Sequence, residues 1–325
     1  MHILLVHKAP IPVYGYGGTE RVIWDLGRAL VGLGHRVSYL VPAGSHCDFA
    51  AVLPLDEGRP WQTQVPADVD LVHFQFDPGE SPDTPYLVTE HGNSKESRPF
   101  PLNTVFVSAD HAARYGSSQF VLNGLDWDAY GPVDWQRPRQ RHHFLGKAAW
   151  RVKNVQGAID VALGAGVELD VLGGTRLNLK RGFRFTLSPR VHFHGMVGGA
   201  TKLALLNASH GLILPVRWHE PFGLAVIESL YFGCPVFATP YGALPELVGP
   251  AHGVLSNRRA ELSEAVRTAR FDARACHEHA RSGFSVLLMA QDYVVKYQRV
   301  LDGETLNPTP PRMQGAFDGL PWIAD

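Results

Sequence analysis

Two carboxylates eight residues apart, Glu220 and Glu228 in Glu220-Pro-Phe-Gly-Leu-Ala-Val-Ile-Glu228, bracket a turn that runs into an apolar helical segment. On a single helix, eight steps of ~100° would leave them roughly 80° apart, so they would not share a face. The segment instead predicts Glu220 in the loop before a helix and Glu228 about one and a half turns inside it. One carboxylate then meets a ligand at the helix mouth while the other reaches a different part of the same elongated ligand. The backbone N–H groups of Phe222, Gly223 and Leu224 lie at the positive end of that helix, which suits an anion. A second anion-suited element is Gly15-Tyr16-Gly17-Gly18-Thr19, where glycines admit close backbone approach and a helix follows. It is not G-x-G-x-x-G, so a dinucleotide fingerprint is not supported. Tyr14 and Tyr16 either present aromatic faces to a sugar or pack the loop. His91, in Val88-Thr-Glu-His-Gly92, follows a strand, at the end where open α/β sheets bind ligands.

The elements that position these residues read as an alternation of strands and helices. Ile3–Val6, Val37–Val41, Leu71–Phe76, Leu87–Thr89, Val105–Ser108 and Phe120–Leu122 predict buried strands. Thr19 to Leu33 predicts a helix, because Val22, Ile23, Leu26, Ala29, Leu30 and Leu33 recur at helical spacing. Thr19 is the expected N-cap and Gly34 the expected stop. After a polar, proline-bearing stretch from Asp126 to His143, the alternation restarts. It gives strands at Phe144–Leu145, Leu169–Leu172, Val191–His194 and Leu212–Val216, and helices at Val155–Leu163 and Lys202–Ala208. Helical patterns then run from Glu261 to Leu301 with a break near Ser282-Gly283. Such alternation implies doubly wound parallel sheets.

Length and composition fit this picture. A chain of 325 residues suggests two domains. Hydrophobic content of 45% with 19% charged residues is that of a globular enzyme. A formal charge of −1 argues against nucleic acid as an electrostatic partner. No run reaches ~18 consecutive apolar residues, so no transmembrane helix is expected. The opening Met1-His2-Ile-Leu-Leu-Val6 reads as a strand and lacks the marks of a signal peptide. Cys47, Cys234 and Cys276 are odd in number and form no C-x-x-C pair, so neither a disulfide framework nor a zinc cluster is indicated. A cytoplasmic location is expected, with a peripheral position at a membrane left open. His192 and His194 share one face of a strand, but no third metal ligand is evident beside them.

The stretch from Pro215 to Val248 resembles the donor-site signature of the retaining family 4 glycosyltransferases, which have the GT-B fold. Weaker matches extend across most of the chain. The resemblance implies two doubly wound Rossmann-like domains facing a cleft, with a C-terminal helix that crosses back to the first. It divides the chain into an acceptor-side domain at 1–135, a nucleotide-sugar-binding domain at 136–285, a crossover helix at 286–302 and an irregular tail at 303–325. It also implies retaining transfer of a sugar from a nucleotide-diphosphate sugar (UDP-, GDP- or ADP-linked) to an acceptor hydroxyl, without metal or cofactor and with no D-x-D metal element counted.

On this resemblance, Gly17 and Gly18 meet the diphosphate, and Lys147 and Lys153 hold its charge. Lys147 stands where the family has arginine, which keeps the charge but loses the planar fork. Glu220 contacts the donor sugar and Glu228 the ribose hydroxyls. Phe222, Gly223 and Leu224 line the donor side, and His91 serves near the reacting sugar. The catalytic set is thus His91, Glu220 and Lys153. Asn123-Gly124-Leu125-Asp126 resembles the family turn that leads to the hinge, and reads as structural. Two other readings stand beside this one: a sugar-nucleotide 2-epimerase of the same fold, and a nucleotide-sugar-binding protein without catalysis.

Overall fold

The computed structural model describes residues 1–12, 17–79, 83–94, 98–179 and 183–324. The chain divides into two compact units. The first comprises Met1–Trp127 and Phe284–Gly315, the second Asp128–Gly283 and Ala316–Asp325. The division therefore falls at 127/128, earlier than the boundary at 135/136 expected from the sequence.

The first unit holds β1 (His2–Val6), α1 (Gly18–Gly32), β2 (Arg36–Val41), β3 (Ala51–Pro54), β4 (Leu71–Phe74), β5 (Tyr86–Glu90), β6 (Thr104–Phe106) and α2 (Ala109–Arg114). The strands form one parallel sheet in the order β3-β2-β1-β4-β5-β6. Both faces are covered, so the central strands are apolar runs and every residue of β1 is buried. In α1 the expected stripe is the buried face, with Val22, Ile23, Leu26 and Leu30 inside. The N-cap is Gly17 rather than Thr19, and no side chain caps it. Glycine at this end leaves the first amides unshielded, where a Thr19 cap would have consumed one. Phe120–Leu122, expected as a strand, contributes only a single bridge from Phe120 to Phe106.

The second unit holds β7 (Arg141–Leu145), α3 (Val155–Ala165), β8 (Leu169–Leu172), β9 (Leu177–Asn178), β10 (Arg184–Phe185), β11 (Val191–Phe193), α4 (Gly199–Asn207), β12 (Ser209–Leu214), α5 (Leu224–Tyr231), β13 (Val236–Ala238), α6 (Leu244–Leu247), β14 (Gly253–Leu255), α7 (Arg259–Thr268) and α8 (Ala273–Gly283). Its main sheet is parallel, ordered β11-β8-β7-β12-β13-β14, and β9 and β10 form a separate antiparallel hairpin. The last helix, α9 (Val286–Leu301), belongs to the first unit. There Tyr297 and Tyr293 reach into the sheet: the Tyr297 hydroxyl bonds the His73 ring at 2.7 Å, and the Tyr293 hydroxyl lies 3.0 Å from that of Thr89.

The Asn123-Gly124 turn packs against the start of α9, whose N-cap is Ser285. The Leu125 amide donates to Phe284 O and the Val286 amide to Leu125 O. A Cβ at Gly124 would lie 2.2 Å from the Ser285 carbonyl oxygen, so only glycine fits there. The stretch after α9 is irregular, as its prolines and glycines suggest, but it is not one body. Residues up to Gly315 join the first unit, and Ala316 onward joins the second.

Candidate functional site

In the second unit the strand order reverses between β7 and β12. Loops leaving the carboxyl ends of two such strands diverge and open a crevice, which is where open α/β sheets take ligands. The loop after β7 carries Lys147 and Lys153. The loop after β12 carries Glu220, Phe222 and Gly223, and leads into α5 at Leu224. Five residues singled out in the sequence thus come from the two loops at one switch point.

Backbone ties hold these loops together. Asn154 adopts left-handed backbone (φ 51°) and caps α3, accepting from the Gly157 amide at 3.1 Å. Its Nδ2 donates across to Pro215 O at 2.8 Å, and the Arg217 amide donates back to Val152 O at 2.7 Å. Lys153 is thereby brought to Glu220. Its Nζ donates to both carboxylate oxygens, at 2.9 and 2.7 Å, and lies 4.8 Å from the centre of the Trp218 ring. Trp218 Nε1 donates to Glu220 Oε2 at 2.7 Å. The sequence reading gave these side chains separate tasks, phosphate for Lys153 and sugar for Glu220. In the structure they are one ion pair, with side chains 14% and 8% exposed.

Glu220 is fixed from behind by Gly242. The Ala243 amide donates to Glu220 O, and a Cβ on Gly242 would lie 2.2 Å from Glu220 N. From Glu220 the chain reaches α5 through buried Phe222 and through Gly223, whose φ of 108° suits glycine. Glu228 lies within α5 and is buried. It is not poised in solvent: the Lys202 ammonium and the Tyr130 hydroxyl both donate to its Oε1 at 2.5 Å. Lys202 and Tyr130 were missed in the sequence. The available signal was a lysine within an otherwise apolar helical run, since lysine is rarely buried unless paired. One residue beyond Glu228, Ser229 bonds His143 Nε2 at 2.8 Å, and His143 Nδ1 bonds Ser209 at 2.6 Å. Burial pushes His143 down to about 3, so this link from β7 to α5 is a neutral one. The Lys147 Nζ lies 5.0 Å over the Trp150 ring, and Trp150 packs edge-on against Trp218. Its loop is braced by Gly173, where a Cβ would lie 2.0 Å from Gly146 O.

In the first unit the order reverses between β1 and β4. Gly17 and Gly18 stand at the start of α1, while Tyr14, Gly15 and Tyr16 lie outside the described residues. His91 directly follows β5, and its Nε2–H donates to Gln75 Oε1 at 2.8 Å. Burial first, then the neighbouring His7 and His111, lower His91 to about 3. It is a neutral imidazole with its Nδ1 lone pair available as an acceptor. Gln75 Nε2 and both ring nitrogens of His7 are buried without a partner among the described residues. These two were also missed; both stand just after a strand end, as His91 does.

His192 and His194 each bond a carboxylate, Glu168 and Asp170, at 2.8 Å. No metal-holding group of three such side chains occurs among the described residues. Two D-x-D sequences do exist and correct the earlier count. Asp68-Val69-Asp70 lies at the amino end of β4, away from the carboxyl ends that carry His91, and there Asp68 pairs with Arg36 and Asp70 accepts from the His2 amide. Asp126-Trp127-Asp128 straddles the division between the units.

Residues 134–270 match the family model for glycosyl transferases group 1. An uncharacterized 41.2 kDa protein of the cps region of Klebsiella pneumoniae is 30% identical over 117 residues, 33% of this chain and 32% of that protein. A GDP-mannose-dependent alpha-(1-6)-phosphatidylinositol dimannoside mannosyltransferase of Mycobacterium tuberculosis is 35% identical over 79 residues, 24% of this chain and 21% of that protein. The chain thus spans a third or less of the length of these curated relatives. Among solved structures, AviGT4, a glycosyltransferase involved in avilamycin A biosynthesis, superposes with a TM-score of 0.76 at 22% identity, covering 93% of this chain and 98% of that one. Anabaena HepE in complex with UDP-glucose gives 0.66 at 18% identity, covering 94% and 100%. The chain therefore has the GT-B fold of two parallel-sheet Rossmann-like domains, and its residues 134–270 match the group 1 glycosyl transferases.

Proposed function

We propose that this chain is a retaining, metal-independent glycosyltransferase that moves a sugar from a nucleotide-diphosphate sugar to an acceptor hydroxyl. The observation that carries the reading is the Lys153–Glu220 pair at the switch point of the unit that matches the group 1 family. As the bond from the sugar's anomeric carbon to the β-phosphate oxygen breaks, negative charge gathers on the diphosphate and positive charge on the sugar ring. Lys153, Lys147 and the first amides of α5 stabilise the former without reorganising. Glu220 takes hydroxyls of the sugar, and Glu228 takes those of the ribose. His91 is neutral and accepts a hydrogen bond from a hydroxyl of the reacting sugar or acceptor. Glu220, the carboxylate at this switch point, is held by Lys153 on both oxygens, which supports attack on the face that the leaving group vacates.

A thermal-shift screen with UDP, GDP and ADP tests the first half of this reading, because a ligand at ~100 Kd adds ~2.7 kcal/mol of stability. The matching donor sugar with an acceptor panel, run in chelator and analysed by NMR, tests the second. The expected product keeps the donor's anomeric configuration at an undiminished rate. An inverted product, or a rate that only Mg²⁺ or Mn²⁺ restores, overturns the mechanism. A 2-epimerase would convert the donor with no acceptor present, and the neighbouring structures and relatives do not favour it.

A further inference from the structure

The crossover from β8 to the parallel strand β11 is made by the β9–β10 hairpin, where a helix is usual. In this hairpin Phe185 pairs with Leu177 and Arg184 with Asn178. Side chains alternate, so Leu177, Leu179, Phe183, Phe185 and Leu187 share one face and Arg176 and Arg184 the other. The polar face is turned inward. Arg176 donates to the carbonyls of Thr186, Ser188 and Val191, and Arg184 donates to Thr175 O and Thr186 Oγ1. Both guanidinium groups lie over the Phe193 ring of β11, at 5.7 and 5.1 Å. The apolar face is turned out: Leu179, Phe183 and Leu187 are 71%, 77% and 80% exposed. This reverses the usual arrangement of a surface hairpin. Together the five side chains form a patch on the order of several hundred Å², the size at which exposed apolar surface marks an interaction site.

Charge identifies the partner. From Val171 to Val191 the sequence contains no Asp or Glu, and the hairpin segment carries Arg176, Lys180, Arg181, Arg184 and Arg190, in a chain whose overall charge is −1. Arg190, at the foot of the hairpin, is exposed. Apolar Leu and Phe side chains projecting from a segment that is locally basic and free of acid fit the headgroup region of an anionic bilayer. We infer that the β9–β10 hairpin docks the chain onto anionic phospholipid membranes, with Leu179, Phe183 and Leu187 entering the interface. The inference does not depend on sugar transfer.

Co-sedimentation with vesicles tests it without a nucleotide sugar. The full chain is expected to pellet with phosphatidylcholine vesicles containing phosphatidylglycerol at least tenfold more strongly than with phosphatidylcholine alone. Phe183→Asp and Leu187→Asp, at sites already in solvent, should keep the melting temperature and lower that binding at least tenfold. Phe183→Trp should retain binding and shift its emission to the blue on anionic vesicles. Absence of pelleting on anionic vesicles, or binding unchanged by Phe183→Asp and Leu187→Asp together, overturns the proposal. So does a wild-type dimer in gel filtration that Phe183→Asp converts to monomer, because the face would then cover a second copy.

Discussion

At the scale of the residue, each signature carboxylate carries its own lysine. The Glu220–Lys153 pair is partly open and the Glu228–Lys202 pair is closed, and the two should respond differently to substitution. On the proposed reading, a donor competes with Lys153 for Glu220, and that exchange follows the charge that moves during reaction. Glu220→Gln should therefore depress kcat at saturating donor, and Glu228→Gln should chiefly raise the donor KM. Saturation curves that show the reverse would exchange the two roles. Lys202→Met makes a separate test. It leaves Glu228 charged and buried beside Tyr130, an imbalance that costs ~3–5 kcal/mol. Adding Glu228→Gln removes the stranded charge and should restore most of the melting temperature without restoring donor affinity. If Lys202→Met alone is neutral in thermal unfolding, the pair is not closed. The glutamates were legible in the sequence because their spacing is local. Lys202, Tyr130, His7 and Gln75 were not, because their importance lies in contacts or strand ends that only the folded sheets bring into view.

At the scale of the element, the strand-and-helix alternation was readable wherever burial on both faces leaves an apolar run. Ile3–Val6 is one case, and the helical break expected near Ser282-Gly283 falls just after it, at Phe284-Ser285 between α8 and α9. The misses have physical causes. The edge strand β3 has no buried residue, and the β9–β10 hairpin turns its apolar face outward, so neither shows the expected inward pattern. The cap of α1 was misread because Thr19 looks like a better cap than Gly17, although a bare helix end suits an anion. The most consequential element junction is Asn154, the left-handed residue that ends the Lys153 loop, caps α3 and ties that loop to Pro215. Asn154→Ala loses the cap, about 1 kcal/mol, and meets left-handed strain of roughly 1–2 kcal/mol. Asn154→Gly loses the cap without the strain, and a Gly cap costs only a few tenths of a kcal/mol. Chemical denaturation should therefore rank wild type, then Gly, then Ala. Donor affinity should fall in both variants, because both lose the Pro215 tie. Equal stability of the two variants would remove the strain argument.

At the scale of the whole molecule, buried histidines set the acid limit. His91, His111 and His143 are lowered to about 3 and His142 to about 4, in each case chiefly by burial. Each binds a proton more readily when unfolded, at the ordinary value near 6.5. Their stabilisation is therefore complete above pH ~6.5 and is lost as pH falls toward the folded values, at up to ~1.4 kcal/mol per unit for each group. Asp25 acts with the opposite sign. Burial raises it to about 7, so its contribution is present at low pH and is lost as pH rises from 3.8 through 7. Four histidines outweigh one aspartate across this window, so stability rises with pH and levels off above pH ~7. Melting temperature should fall steeply as pH drops from ~6.5 toward ~4, and Asp25→Asn, which removes the opposing contribution, should steepen that fall. A flat profile between pH 4 and 6.5 would mean that these imidazoles protonate in place.

The C-terminal segment completes the second unit in a way that its irregular composition conceals. The Leu320 amide donates to Arg217 O at 3.1 Å, and the His219 amide donates to Phe317 O at 2.8 Å. Trp218 and Asp318 form an antiparallel bridge between these bonds. Residues 317–320 are thus an added strand on the three residues that immediately precede Glu220. Their far side is held by the Tyr241 hydroxyl, which donates to Pro321 O, and by the exchange of backbone bonds between Ile323 and the Asn257–Arg259 segment. Trp218 gives Glu220 its indole hydrogen bond and lies beneath Lys153, so the segment acts on the ion pair through one residue. Leu320→Pro deletes the donor to Arg217 while changing little buried apolar surface, since Leu320 is only half-buried. It should raise the donor KM several-fold and shift Trp emission. Arg217→Ala keeps its backbone carbonyl but loses the 3.1 Å bond from Nε to Leu320 O, so it should change both less than Leu320→Pro does. Removal of residues 316–325 should reproduce the Leu320→Pro effect on donor binding with a further loss of stability confined to the second unit. Unaltered donor binding in the truncated chain would show that Trp218 holds its place without this strand.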